Sequence, residues 1–202
     1  YLCCLPNVVV MAPSDEAELA KMVMTASKHS DGPIFCRYPR GEGEGVDVTD
    51  IVQDVKIGKG RIIKTGKDLA ILALGTRVGS ALKVADHLLQ YNLNITVADA
   101  RFAKPIDTQL VEKLWNEHQK LIIIEEGSAG GFSSHCLHFL SSKDLLNKHD
   151  KEIKCLTMPD NFQDHASQKE QLAKAGLDTD GLMTVVSKMI PLSNVKNKSI
   201  TN

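Results

Sequence analysis

Two arginines three positions apart, Arg37 and Arg40, flank a Tyr-Pro pair in the segment IFCRYPRGEGEG (34–45). A guanidinium is planar, permanently charged and able to donate two parallel hydrogen bonds, which suits a phosphate. In a strand Arg37 and Tyr38 face opposite ways, and Pro39 ends the ladder, so Arg40 projects from the strand's exit. Phosphate contact and a structural ion pair account for these arginines equally well.

Other stretches carry weaker chemistry. EEGSAGGFSS (125–134) sits after an apolar run and before a helical pattern, where free N–H groups attract anions. It matches neither the dinucleotide fingerprint nor the P-loop, so tight strand–helix packing at Gly130 and Gly131 is the favoured reading. Glu125 and Glu126 are neighbours on a strand and point to opposite faces, so they cannot serve one substrate as a carboxylate pair. In ARFAKPID (100–107), Arg101 and Lys104 are read as structural or interface cations, with Asp99 or Asp107 as partners for the lysine. Asp160, Asp164, His165 and Ser167 offer the residue types of a hydrolytic triad, but closeness in sequence is not triad geometry. His135 and His138 share a helix face without a further ligand, and no metal site is expected. No catalytic residue is assigned.

The elements that must position these groups follow from composition and period. The chain has 202 residues, 43% hydrophobic and 24% charged, enough for one large or two small domains with a real core. A net charge of −1 argues against nucleic acid or an anionic membrane as a partner, and no apolar run reaches the roughly 18 residues of a membrane span. Five cysteines without a repeating spacing fit reduced, mostly buried thiols. The chain opens on Tyr1 inside an apolar run, which reads as the tail of something longer.

Residues 1–45 read as strand, helix, strand, with Ser14 as helix N-cap and Ala20, Val23, Met24 and Ser27 at helical spacing. Such a unit cannot bury both faces of its sheet alone. The acidic, glycine-rich connection at 46–54 marks a domain boundary. Beyond it, strands (KIGKGRIIK, DLAILAL, NITVADARF, LIIIEE, EIKCLTM) alternate with helical patterns, one of them capped by Asp107. That alternation implies βαβ units and an open, largely parallel α/β sheet. Residues 191–202 read as a polar, frayed tail.

Several ordered segments together, YL..LPN..VMAPSDEAEL, RYPRG, IGKG, LAILALGT, ARFAKPID, EEGSAGGF and MPDNF..H.SQ, resemble the C-terminal third of the 1-deoxy-D-xylulose-5-phosphate synthase family, from Tyr1 to about Ile190. Gly127 departs from the family's frequent Glu-Glu-Asn, and His165-Ala166-Ser167 from its His-Gly-Ser. The resemblance implies a transferase that uses thiamine diphosphate and Mg²⁺ to join pyruvate, with loss of CO₂, to D-glyceraldehyde 3-phosphate. The product serves isoprenoid, thiamine and pyridoxal phosphate synthesis.

By the same resemblance, Arg40 grips the substrate phosphate and Arg37 supports it. Residues 1–45 finish a pyrimidine-binding domain. Residues 55–190 form a transketolase-like C-terminal domain, three layers α/β/α around a mixed, mainly parallel five-stranded sheet. A homodimer is implied, in the cytoplasm or, in a plastid-bearing eukaryote, the plastid. The segments that bind and activate the cofactor are not in this sequence, so the chain alone is expected to bind no cofactor and to be inactive. Rival readings are a piece of a transketolase or of a 2-oxo-acid dehydrogenase E1 component, and a non-catalytic assembly module.

Overall fold

The computed structural model describes residues 1–49, 53–147 and 150–191. The expected polar tail beyond Pro191 and part of the expected connection, 50–52, lie outside these residues.

Near-continuous apolar runs become buried strands. β4 (Leu69–Ala73) and β7 (Lys120–Ser128) form the centre of a five-stranded sheet, with β5 (Ile95–Asp99) and β8 (Glu152–Met158) parallel to them. An edge strand, β3 (Arg61–Lys64), runs antiparallel to β5. The sheet is thus mixed and mainly parallel. Alternate residues of each strand face opposite layers. Leu72, Ile123 and Ala98 pack on α3 (Thr108–Glu117) and α4 (Phe132–Ser142), which contribute Leu114, Trp115 and Phe132. Ile71, Ile124 and Val97 pack on α2 (Arg77–Leu88) and α6 (Thr179–Met189) through Val84, Leu88 and Val186. Asp107 caps α3 by accepting the Leu110 N–H at 3.1 Å. A short helix, α5 (Gln168–Lys174), precedes α6. Among the described residues no helix is long and apolar enough to cross a membrane.

A second sheet has three strands in the order β2-β1-β6: β1 (Val9–Met11), β2 (Ile34–Cys36) parallel to it, and β6 (Phe102–Lys104) antiparallel. NITVADARF is therefore two strands, not one. The break falls at Arg101, whose backbone is left-handed (φ 59°) and whose N–H is accepted by Asp99 Oδ1 at 3.0 Å. The turn sends β6 out of the five-stranded sheet to pair with β1, so the two sheets are stitched by one chain segment. Ala12 N–H adds a bond to Arg101 O at 2.8 Å.

α1 (Glu16–Lys28) also differs from expectation. Its N-cap is Asp15, which accepts the Glu18 N–H, while Ser14 donates its hydroxyl to Asp15. It buries Glu18, Met22 and Thr25 and leaves Val23 57% exposed. Two of the three buried residues are polar, and each has a distant partner. Thr25 Oγ1 accepts the Val55 N–H at 2.8 Å, and Glu18 meets two arginines.

Candidate functional site

Glu18 is 1% exposed and accepts a two-pronged bond from Arg101, Nε to Oε2 at 2.7 Å and Nη2 to Oε1 at 3.0 Å. Arg61 Nη1 lies 3.1 Å from the same carboxylate, and Arg61 Nη2 lies 3.3 Å from Asp99 Oδ2. Burial pushes the Glu18 carboxyl up, but the hydrogen bonds of Arg101 and Lys21 and the nearby positive charge outweigh it and hold the group below its usual range. Asp99 is fully buried. There burial prevails over the attraction of Arg61, and its carboxyl is pushed up to about 6. This cluster joins α1 to the ends of β3 and β5, and Arg101 is committed to it.

Near its end β7 carries the two neighbouring glutamates, which point to opposite faces as the pleat requires. Glu125 turns toward α4 and accepts the N–H groups of Phe132 (3.1 Å) and Ser133 (2.7 Å) and the Ser133 hydroxyl (2.8 Å). The anion position at the start of α4 is therefore filled by the chain's own carboxylate. Gly127 and Gly131 make room for it, since a Cβ at either would stand 2.4 or 2.7 Å from Glu125 Oε2. The glycines serve packing, as the sequence pattern favours.

Glu126 turns the other way. Its Oε2 accepts Arg37 Nη2 at 3.1 Å, and its Oε1 accepts Arg77 Nε at 2.9 Å and the Thr76 hydroxyl. Arg77 is buried and donates onward to Leu177 O at 2.7 Å. Burial would raise the Glu126 carboxyl, yet the Thr76 hydrogen bond and the charges of Arg77 and Arg37 keep it below its usual range. Arg37 is thus tied to a carboxylate 89 positions away, a partner that local pattern cannot reveal.

Arg40 is different. It is exposed and has no hydrogen bond or ion pair among the described residues. It lines a cavity of about 460 Å³ whose wall also includes Ser14, Tyr38 and Thr76 and four acidic residues, Asp15, Glu16, Glu42 and Glu44. These residues follow the carboxyl ends of β1, β2 and β4, the usual ligand side of parallel sheets. The two βα turns abut there, because Gly75 (φ 65°) would place a Cβ 3.4 Å from that of Ala12.

The far wall is the GEGEG loop, folded over Glu16. Glu16 Oε1 accepts the Gly45 N–H at 2.7 Å, and backbone N–H groups, its own first and then that of Gly45, lower its carboxyl. A Cβ on Gly43 would fall 2.0 Å from that oxygen. The alternation of glycine and glutamate thus lets a loop close over a helix start.

The remaining candidates are accounted for locally. Lys104 Nζ donates to Leu5 O and, at 3.1 Å, to Cys3 O, pinning the amino-terminal turn rather than either aspartate. Asp107 is paired with Lys59 at 3.3 Å. Ser167 caps α5 in a reciprocal box with Glu170. Of the five cysteines only Cys136 is buried, its thiol pushed up by burial; Cys3 and Cys36 are half-buried and Cys4 and Cys155 exposed, so the expectation of mostly buried thiols does not hold.

The model of the transketolase C-terminal domain matches residues 58–182. The chain belongs to this family. A solved structure described as a split-gene transketolase, inactive β4 tetramer, is similar over 95% of this chain, with 27% identity and a TM-score of 0.80. The chain spans 60% of the length of that relative. The five-stranded sheet with helices on both faces is the transketolase C-terminal domain, and the β1–α1–β2 unit stands before the matched region. Among the described residues no three His, Cys, Asp or Glu stand together to hold a metal ion. The described residues therefore offer no ligand cluster that fits a magnesium–diphosphate group.

Proposed function

We propose that this chain is the C-terminal part of a thiamine-diphosphate- and Mg²⁺-dependent transferase that condenses pyruvate with D-glyceraldehyde 3-phosphate, a 1-deoxy-D-xylulose-5-phosphate synthase. The chain's contribution is the grip on the triose phosphate. The supporting observation is Arg40, a cation without a partner among the described residues, on the wall of a cavity at the carboxyl ends of parallel strands. A phosphate entering there would meet a planar double donor that has no carboxylate to give up. Arg37, held by Glu126, supports the wall and does not reach for substrate. On this reading residues 1–45 close a pyrimidine-binding domain, 46–54 connect and 55–190 form the C-terminal domain. The thiamine and magnesium contacts come from outside the chain, which alone is inactive, and the complete enzyme is a homodimer.

In the complete enzyme Arg40→Ala is expected to weaken glyceraldehyde 3-phosphate by about 2–3 kcal/mol, the value of a charged hydrogen bond, with little change for pyruvate. Steady-state kinetics with each substrate varied in turn checks this. Equal damage to both would make Arg40 a folding residue.

The similarity to a split-gene transketolase supports a second reading, in which the same phosphate grip serves sugar phosphates in two-carbon transfer. Turnover with a ketose phosphate donor and none with pyruvate would select it.

A further inference from the structure

Two walls of the Arg40 cavity come from different sheets, and one buried carboxylate ties them. Glu126 bonds Arg37 on the exit of β2, three residues before Arg40, and also Thr76 and Arg77 at the start of α2. Thr76 itself lines the cavity. Arg77 is anchored deeper still, to Leu177 O at 2.7 Å and Ser80 Oγ at 3.3 Å, so the carboxylate is fixed from the core side. The segment between Arg37 and Arg40 is short and stiffened by Pro39, whose ring fixes its own φ. Fixing the Arg37 guanidinium therefore sets the direction in which Arg40 leaves the strand. The Arg37 backbone adds a second point, its N–H donating to Met11 O at 2.8 Å.

We propose that Glu126 is the positioning residue of this anion site: by holding Arg37 and Thr76 on one carboxylate, it sets the distance between the Arg40 wall and the α2 wall for a phosphate monoester. The inference rests on the reading of Arg40 as the phosphate ligand. Glu126 does not touch the substrate. Two arginines on one carboxylate leave a net positive charge behind this wall, which offsets in part the acidic residues Asp15, Glu16, Glu42 and Glu44 that line the rest of the cavity.

A four-enzyme cycle tests it in the complete enzyme: wild type, Arg40→Ala, Glu126→Gln and the double variant, with KM for glyceraldehyde 3-phosphate and for pyruvate measured separately. Glu126→Gln is expected to raise KM for the triose phosphate about tenfold when Arg40 is present and not at all when Arg40 is already alanine, with the pyruvate KM unchanged. Glu126→Asp, which keeps the charge but retracts it, should fall between wild type and glutamine. Should Glu126→Gln not fold, Arg37→Met replaces it in the same cycle, because it cuts the same tie from the other side. An equal rise in both Arg40 backgrounds, a parallel rise for pyruvate, or no rise at all overturns the positioning role. If Arg40→Ala alone leaves the triose phosphate KM unchanged, the failure lies with the reading of the site itself.

Discussion

Two glycine-rich stretches follow strands in this molecule, and each folds around a carboxylate. At the end of β7 and just beyond it, Gly127 and Gly131 clear space for Glu125, both of whose oxygens are bonded at the start of α4. After β2, Gly43 clears space for Glu16, one of whose oxygens holds the Gly45 N–H while the other, Oε2, is buried without a hydrogen-bond partner among the described residues. In the first stretch the N–H groups of Phe132 and Ser133 and the Ser133 hydroxyl are committed to Glu125. The second borders a cavity and leaves Arg40 uncommitted. Glycine next to a helix start does not mark a binding site; a donor without an internal partner does.

The contrast predicts that the β7–α4 stretch governs stability and the β2 stretch governs binding. The largest effect is expected at Glu125→Ala, which strands two buried N–H groups and a hydroxyl. Denaturant unfolding should show a loss of about 3–5 kcal/mol, whereas Arg40→Ala should stay within about 0.5 kcal/mol of wild type. Comparable losses at both positions would erase the distinction.

A smaller effect separates the stitched junction from both loops. Burial pushes the Asp99 carboxyl up to about 6, well above its ordinary value of 3.8. The folded state therefore holds a proton that the unfolded state has lost, and the associated stability is complete below about pH 4 and lost as pH rises through 6. Relative to Asp99→Asn, wild type should lose up to about 3 kcal/mol of unfolding free energy between pH 4 and 7. Glu18 and Glu126, with lowered values, work in the opposite direction: their contribution is present above their unfolded pKa values and fades as pH falls. The variant difference removes Glu126 from the comparison, whereas Glu18, which shares Arg61 with Asp99, responds together with it. A flat difference across this range would mean that Asp99 is ionised throughout.

The smallest effect is expected at Gly43→Ala. Its Cβ would meet the carboxylate end of Glu16, a flexible group that can swing aside, so the cost should be under about 1 kcal/mol. Gly131→Ala faces the fixed Glu125 and the Ser128 carbonyl at 3.1 Å, and should cost more. A reversal of that order would show that the two carboxylates are held alike.

How much of this was legible in the sequence depends on whether the deciding partner is local. β4, β7, α2 and α3 are written in apolar runs and helical periods that need no distant information. The opposite aim of Glu125 and Glu126 follows from strand geometry alone. By contrast, the face that α1 buries is not legible in the sequence, because Glu18 and Thr25 are polar residues whose burial depends on Arg101, 83 positions away, and Val55, 30 away. The break between β5 and β6 was hidden for the same reason: nothing near Arg101 announces a left-handed turn held by Asp99 and Glu18. Arg37 and Arg40 were indistinguishable as types, and only Glu126 separates them.

The central claim is that Arg40 reads a phosphate, and it is tested most directly by comparing D-glyceraldehyde 3-phosphate with unphosphorylated D-glyceraldehyde as acceptor in the complete enzyme. The ratio of their kcat/KM values should fall by about 30- to 100-fold in Arg40→Ala, through loss of the phosphorylated acceptor alone. An unchanged ratio would contradict the account, because Arg40 would then be indifferent to the group it is held to recognise.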